Sequence, residues 1–396
     1  MNTKNNNLIN LGLHYHIPSI LIDGKIFTTA FFGVFIDSIA VESKTLTYYS
    51  YTPKKEYLKQ MDYVLKSKNV SLFSLGELNR FSFLKFVFRS KRRNLLLTSV
   101  NKLDLVLVRT PTALSFIFNK TITQVSVLLV GDYPNRKQLN ELSLISNIYN
   151  TLLYTWMQTT QKRLLKKSIV FANNNFLYNK FKNHSKKMYN IKTSTFNSDD
   201  IFYRKDTCQQ SIIKLLFVGR IEESKGLYEL YDSLAALKKS TYNFHLSVVG
   251  NPTKKEFLNE LDNYATKLGL DNNITHLGYI TLGSKLFETY KSHDIFVLPT
   301  KFDAYPRTIT EAMSQSLPVV TTNIGGIPKR LKNKKHAMLV NPGKSCELTN
   351  AIITLVSNDN LRKSIINEGT KLAKISTLES QSKIMFEKFS EIMVNQ

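Results

Sequence analysis

The sequence predicts an α/β protein made of two domains, each built on a doubly wound parallel sheet. Three observations carry that expectation. At 396 residues the chain exceeds one ordinary core and suits two domains of roughly 150–200 residues. Its second half alternates short, nearly continuous apolar runs with stretches of helical periodicity, the pattern of strands buried on both faces and joined by crossover helices. Polar, glycine-bearing loops follow those runs, where parallel sheets bind their ligands.

In the first half, "SILIDG", "LTYYSYT", "NVSLFSL", "LDLVLVR", "QVSVLLVGDYP" and "KSIVFANN" read as strands ending in loops. From Lys192 to Ser211 the chain turns polar and irregular, as a linker does. Lys214–Val218, Phe244–Val249, Ile274–Leu277, Ile295–Leu298 and Leu317–Thr321 then read as strands. Between the first two, Leu227, Leu230, Tyr231, Leu234 and Leu237 recur at helical spacing. Ser376 and Glu379 form a candidate capping box opening a last helix with Met385, Phe389, Ile392 and Met393 on one face. The expected division is a first domain over 1–195, a second over 196–375, and a terminal helix over 376–396.

Composition narrows the classes. A 42% hydrophobic share with ordinary charge density excludes disorder. Cys208 and Cys346 are too few for a disulfide framework and fit a reducing compartment. The opening "MNTKNNNLINLG" has neither the apolar core nor the cleavage site of a signal peptide. No window reaches the ~18 uninterrupted apolar residues of a spanning helix. The expected location is cytoplasmic. The formal charge of +24 attracts polyanions such as nucleic acid, anionic lipid or phosphorylated substrates, although a chain rich in Asn, Lys and Ile also carries such charge as background. The cations are spread and no nucleic-acid-binding motif occurs, so no nucleic-acid partner is expected.

The chemistry concentrates in the second half. "GRIEESKG" puts Gly219, Arg220, Lys225 and Gly226 after a strand, where two cations beside free backbone N–H groups suit a diphosphate; a solvated loop carries the same residues. "NIGGIPKR" (Asn323 to Arg330) offers a second anion-facing turn. In "KFDAYPRTITEAMSQSLPVV", Pro306 suits a first helical turn, which leaves Asp303 in the preceding loop and Glu311 eight positions on. Eight helical residues rise about 12 Å, too far for a glycosidase-like carboxylate pair and suited to two parts of one elongated ligand. Asp303 equally suits the positive start of a helix, and Glu311 a surface position.

These motifs, "FVGRIEESKG", "VVGNP", "ITHLGYI" and "DIFVLPTKFDAYPRTITEAMSQSLPVVTTNIGGIP", resemble in order and spacing the donor domain of the retaining GT-B glycosyltransferases called family 4. The match runs from about Lys214 to Ser357; the first domain resembles the family loosely, in "DGKIFTTAFFGVFIDSIA" and "DLVLVRTP". The resemblance implies two Rossmann-like domains facing across a cleft, the final helix returning to the first. It implies sugar transfer from a UDP- or GDP-linked donor to a saccharide or lipid-linked acceptor, with no cofactor and no bound metal. Bacterial relatives of this kind build surface polysaccharides. Residue by residue, Arg220 and Lys225 would bind the diphosphate, Asp303 the sugar hydroxyls and Glu311 the ribose. Backbone around Gly219, Ala304, Tyr305, Pro306 and Arg307 would line the donor, Tyr279 and Ile280 would meet the base, and Gly33 would let a first-domain loop approach the phosphates. A sugar-nucleotide epimerase or a non-catalytic partner on the same fold is the alternative.

The sequence departs from the family pattern. Asp303-Ala304 replaces Glu-Gly, Ser316 replaces a usual Gly, Lys329 replaces a common acid, and Arg109 occupies the neighbourhood of a frequent His. His14 and His16 suit structural or exposed roles. Finally, "FSFLKFVFRSKRRNLLL" joins Phe81, Phe83, Leu84, Phe86, Val87 and Phe88 to Lys85, Arg89, Lys91, Arg92 and Arg93. Aromatics beside a basic cluster suit docking to an anionic membrane surface at the inner face of the cell membrane; a core segment with a solvated basic face has the same composition.

Overall fold

The computed structural model describes residues 9–77, 86, 89–132, 144–303 and 305–393. The chain divides into two compact units, Met1–Lys192 with Gln381–Gln396, and Thr193–Ser380.

The first unit contains β1 (Asn10–His14), β2 (Ile20–Ile22), β3 (Lys25–Thr28), β4 (Thr45–Thr52), β5 (Tyr63–Val64) and β6 (Val70–Glu77). Then come β7 (Leu105–Thr110), β8 (Gln124–Leu129), β9 (Ile169–Ala172) and β10 (Lys187–Asn190). Its helices are α1 (Ala30–Val41), α2 (Ser90–Val100), α3 (Ser115–Phe118), α4 (Leu144–Lys167) and α5 (Asn175–Phe181). A seven-stranded sheet has the order β10-β9-β8-β7-β1-β4-β6, and every pairing in it is parallel. Most of the apolar runs read from the sequence are strands of this sheet. "SILIDG" is the exception: β2 pairs antiparallel with β3 in a separate three-stranded sheet. The cause is the Asp23-Gly24 pair, with φ of 48° and 73°. Two positive-φ residues between strands make the primed turn that a tight hairpin needs. β1 and β10 carried no expectation. β1 lies inside the sheet, between β7 and β4, with Leu11 and Leu13 fully buried.

The second unit contains β11 (Ile212–Val218), β12 (Asn243–Val249), β13 (Ile274–Gly278), β14 (Ile295–Leu298), β15 (Val319–Thr322) and β16 (Met338–Val340). They pair in the order β13-β12-β11-β14-β15-β16, all parallel. Between and after them run α6 (Leu227–Leu237), α7 (Lys255–Lys267), α8 (Ser284–Lys291), α9 (Arg307–Ser314), α10 (Ile327–Arg330), α11 (Ser345–Ser357) and α12 (Asp359–Lys374). Leu215, Leu216, Phe217, Ile295, Phe296 and Val297 are fully buried, which explains why these strands read as apolar runs without alternation.

Two details correct the sequence reading. The polar stretch after Lys192 is packed rather than a free linker: Phe196 is fully buried in the core of the second unit. The last helix, α13 (Leu378–Met393), is capped by Thr377, whose Oγ accepts from Ser380 N at 3.2 Å. Glu379 instead accepts from Ser198 N, because the neighbouring 3-10 turn offers its own unsatisfied N–H. Met385 and Phe389 of α13 are buried in the core of the first unit.

Among the described residues no helix is long and apolar enough to cross a membrane. Of the basic-aromatic stretch, Phe81, Phe83, Leu84, Lys85, Val87 and Phe88 lie outside the described residues. Phe86 is core, buried with Leu96 and Val100. Arg89, Lys91 and Arg92 are exposed around the start of α2, and Arg93 is half-buried.

Candidate functional site

Both β11 and β14 end in loops that are locked to each other. Gly226, at φ 73°, caps α6 in the left-handed region, and a Cβ there would stand 2.1 Å from Pro299 O. Only glycine fits both demands. Lys301 N donates to Ser224 O at 2.7 Å and Thr300 Oγ to the same oxygen at 3.2 Å. This clamp brings Lys225 Nζ to 2.7 Å from Asp303 Oδ2, with the two side chains 11% and 21% exposed. Such a pair is largely withdrawn from water, so its attraction is screened far less than that of a surface pair. Arg220 is different. Its side chain is 69% exposed and reaches Glu222 Oε1 at 3.1 Å, while Glu222 also accepts from Ser224 Oγ.

Glu311 lies on α9, after Pro306 at the N-cap position with φ −65°. The helix therefore starts at Arg307, one residue later than the proline suggested. Glu311 is 5% exposed, and both its oxygens are engaged: Oε1 accepts from Thr195 Oγ at 2.5 Å and Oε2 from Tyr290 OH at 2.9 Å. Burial first, and then the Glu311 charge, raise the Tyr290 pKa well above its ordinary value, so the phenol stays a donor. Sequence reasoning missed both partners. Thr195 fell in the apparent linker, and Tyr290 sat among apolar helix residues where a packing role was sufficient explanation.

The Tyr305 ring lies 4.4 Å beneath the Arg330 guanidinium. The "NIGGIPKR" turn thus packs against the segment that follows Asp303. Burial pushes the Tyr305 hydroxyl up and the Arg330 guanidinium down, each opposed by the other. Gly219 N donates to Val249 O and Gly250 N to Gly278 O, both at 2.9 Å, which ties the ends of β11, β12 and β13 together. Tyr279 follows, 57% exposed, and Ile280 packs on the core. Ala304 lies outside the described residues.

Gly33 corrects the sequence reading. It sits in the interior of α1, not in a loop, and a Cβ there would stand 2.2 Å from the Tyr63 ring. Helix packing accounts for this glycine. Also in the first unit, Arg109 Nη1 donates to Pro111 O at 3.0 Å and stacks over Tyr15. His14, 1% exposed, bonds Tyr49 O through Nδ1 and Thr112 Oγ through Nε2.

The comparisons with known proteins fall on the same region. Residues 204–372 match the model of the family Glycosyl transferases group 1, so the second unit carries a domain of that kind. The capsular polysaccharide biosynthesis glycosyltransferase CapM of Staphylococcus aureus is 27% identical over 155 residues, 39% of this chain and 40% of that protein. Protein CapJ of the same organism is 25% identical over 293 residues, 72% of this chain and 71% of CapJ. The match to the first curated relatives spans about two-fifths of their length, 42% and 40%. A glycosyltransferase from Rickettsia africae superposes with a TM-score of 0.70 at 20% identity, covering 98% of this chain and 100% of that one. HepE of Anabaena in complex with UDP gives 0.69 at 17% identity, covering 96% and 99%. The fold is that of the GT-B glycosyltransferases: two α/β units with parallel sheets.

Proposed function

We propose that this chain is a retaining GT-B glycosyltransferase that moves a sugar from a UDP- or GDP-linked donor to a saccharide or lipid-linked saccharide in the synthesis of a surface polysaccharide. The Lys225–Asp303 pair at the carboxyl ends of adjacent strands is the observation that supports it most. A cation and a carboxylate held together there suit the two halves of a nucleotide sugar, Lys225 toward the diphosphate and Asp303 toward the sugar hydroxyls.

In the proposed reaction the bond between C1 of the sugar and the phosphate oxygen breaks, and its electron pair leaves with the nucleoside diphosphate. The acceptor oxygen bonds C1 on the same face, and its proton passes to the departing phosphate. Lys225 and Arg220 offset the charge that grows on that phosphate, without a metal ion in that role. Arg220, exposed and held among the described residues by Glu222, can swing onto a donor. Glu311 receives the ribose hydroxyls by exchanging the hydroxyls of Thr195 and Tyr290 for them. HepE, crystallised with UDP and with UDP-glucose, supports the choice of a nucleotide-sugar donor, and CapM supports the polysaccharide context. The lipid-linked acceptor would bring the protein to the inner face of the cell membrane.

Incubation with a panel of nucleotide sugars and candidate acceptors, read by mass spectrometry and by NMR of the new anomeric proton, tests the proposal. Transfer with the donor's anomeric configuration is expected. A product formed without acceptor and isomeric with the donor assigns an epimerase instead, and no consumption of any donor overturns the enzymatic reading.

A further inference from the structure

The second unit has a basic cavity at the other edge of its sheet. α12 sets Lys363, Asn367, Lys371 and Lys374 along one face, at spacings of three and four residues. Tyr203, Arg204 and Lys205 form the facing wall, and Ser316 and Thr370 lie at the floor. The cavity is open to solvent, with a volume of about 670 Å³, the size of small-molecule sites. No carboxylate is among the described residues that line it.

Its position separates it from the Lys225–Asp303 site. Arg204 donates to Lys291 O at 2.9 Å and His293 O at 2.6 Å, just before β14 begins, and Ser316 lies just before β15. Lys225 and Asp303 follow the opposite ends of β11 and β14. A four-residue strand keeps the two edges about 13 Å apart.

The cations here are differently committed. Asp206 reaches Lys363 at 3.5 Å but is chiefly held by Arg362, at 2.7 and 3.0 Å. Lys371 pairs with Glu368 at 2.6 Å. Lys205 and Lys374 have no carboxylate partner among the described residues, and Lys374 lies 4.9 Å over the Tyr203 ring. Among the described residues the Arg204 guanidinium is hydrogen-bonded by carbonyls, those of Lys291, His293 and Ser316, with the Asp294 carboxylate nearby but not in contact. Its charge is therefore held in place without being neutralised at contact.

Ser316 completes the construction. It stands at φ 55°, a conformation that glycine adopts without strain, and its Oγ donates to Phe202 O at 2.7 Å while lying 3.3 Å from Thr370 Oγ. The serine ties the 202–204 wall to α12, which glycine could not do.

We propose that this cavity is a second binding site, taking a ligand that carries two or more phosphate charges. Lys205, Lys374 and Arg204 would face the phosphates, a concave wall concentrating their field. The Asn367 amide and the Tyr203 ring would meet the uncharged part. The inference does not depend on the reaction proposed for the other edge.

Pyrophosphate binding by calorimetry tests it in the full chain carrying Arg220→Ala and Lys225→Ala, which disables the opposite edge. One site is expected, and adding Lys205→Ser with Lys374→Ser should weaken it by about tenfold or more and flatten its salt dependence. Asn367→Asp, which adds a carboxylate, should weaken it as well. Melting temperatures check that the variants fold. Sedimentation with phosphatidylglycerol and phosphatidylcholine vesicles distinguishes the sources. Anionic-vesicle binding that the lysine variants lose and pyrophosphate competes away assigns a lipid phosphate; pyrophosphate binding alone assigns a free one. Equal pyrophosphate affinity with and without the lysine pair, or no binding in either assay, overturns the proposal.

Discussion

Lys225 Nζ stands 2.7 Å from Asp303 Oδ2 across 78 residues of sequence, and both groups are largely covered. Removing either partner strands the other in a poorly hydrated place, so the two should behave as one unit. In kcat/KM for the donor, Lys225→Ala and Asp303→Ala are each expected to cost about 10²–10³, and the double variant little more than either alone, a coupling of about 3–4 kcal/mol. Arg220→Ala, at an exposed position, should lower kcat while leaving the melting temperature unchanged. Additive losses in the cycle would show that the two residues act separately.

Glu311 should carry stability as well as affinity. Glu311→Ala leaves the Thr195 and Tyr290 hydroxyls buried and unpartnered, at a cost of about 1–3 kcal/mol in unfolding free energy. The same change should raise the donor dissociation constant, because the ribose loses its acceptor. Tyr290→Phe should lower stability with a smaller effect on donor binding. Full donor affinity in Glu311→Ala, measured by calorimetry, would leave Glu311 a purely structural residue.

The burial of His14 predicts an acid-side loss of stability. Burial, with Arg109 nearby, lowers its pKa from 6.5 to about 4, while the Tyr49 carbonyl works against the shift. A carbonyl only accepts, so Nδ1 carries the proton and Nε2 accepts from Thr112. The folded pKa lies below the unfolded one, so the unfolded chain binds the proton first. Stability is complete above pH 6.5 and falls as the pH drops toward 4, by about 3 kcal/mol from this residue. Denaturant unfolding across that range should show a shallower slope in His14→Gln than in the unchanged protein; equal slopes would assign the acid sensitivity elsewhere.

Membrane docking through the first unit rests on the basic residues around the start of α2. Each cation near an anionic surface is worth about 1 kcal/mol. Vesicle sedimentation should rise with anionic lipid and fall with salt. It should drop when Arg89, Lys91, Arg92 and Arg93 become Ser. Phe86 belongs to the core, so it is withdrawn from such a surface. Equal recovery with neutral and anionic vesicles contradicts docking.

What could be read in the sequence follows from burial. β14 and the last four residues of β11 are buried throughout, and their residues show it as unbroken apolar runs. β10, with the sequence KMYN, is partly exposed and polar, and β16 is three residues long, so neither left such a trace. Lys225 and Asp303 stood out in the sequence as charged residues in loops after apolar strands, and the structure pairs them; Arg220, singled out with them, lies exposed on Glu222. Thr195 and Tyr290 did not stand out, since their role depends on a tertiary approach to Glu311 that no local pattern encodes. Gly33 misled because a glycine serving helix packing looks, in one dimension, like a glycine serving a loop.

A structure of the full chain with a bound nucleotide sugar decides whether Lys225 and Asp303 hold the donor. The diphosphate is expected within hydrogen-bond reach of Lys225 Nζ and the swung-in Arg220 guanidinium, the sugar against Asp303, and the ribose on Glu311. A nucleotide seated elsewhere, with the Lys225–Asp303 contact unchanged and Arg220 still on Glu222, would contradict that arrangement.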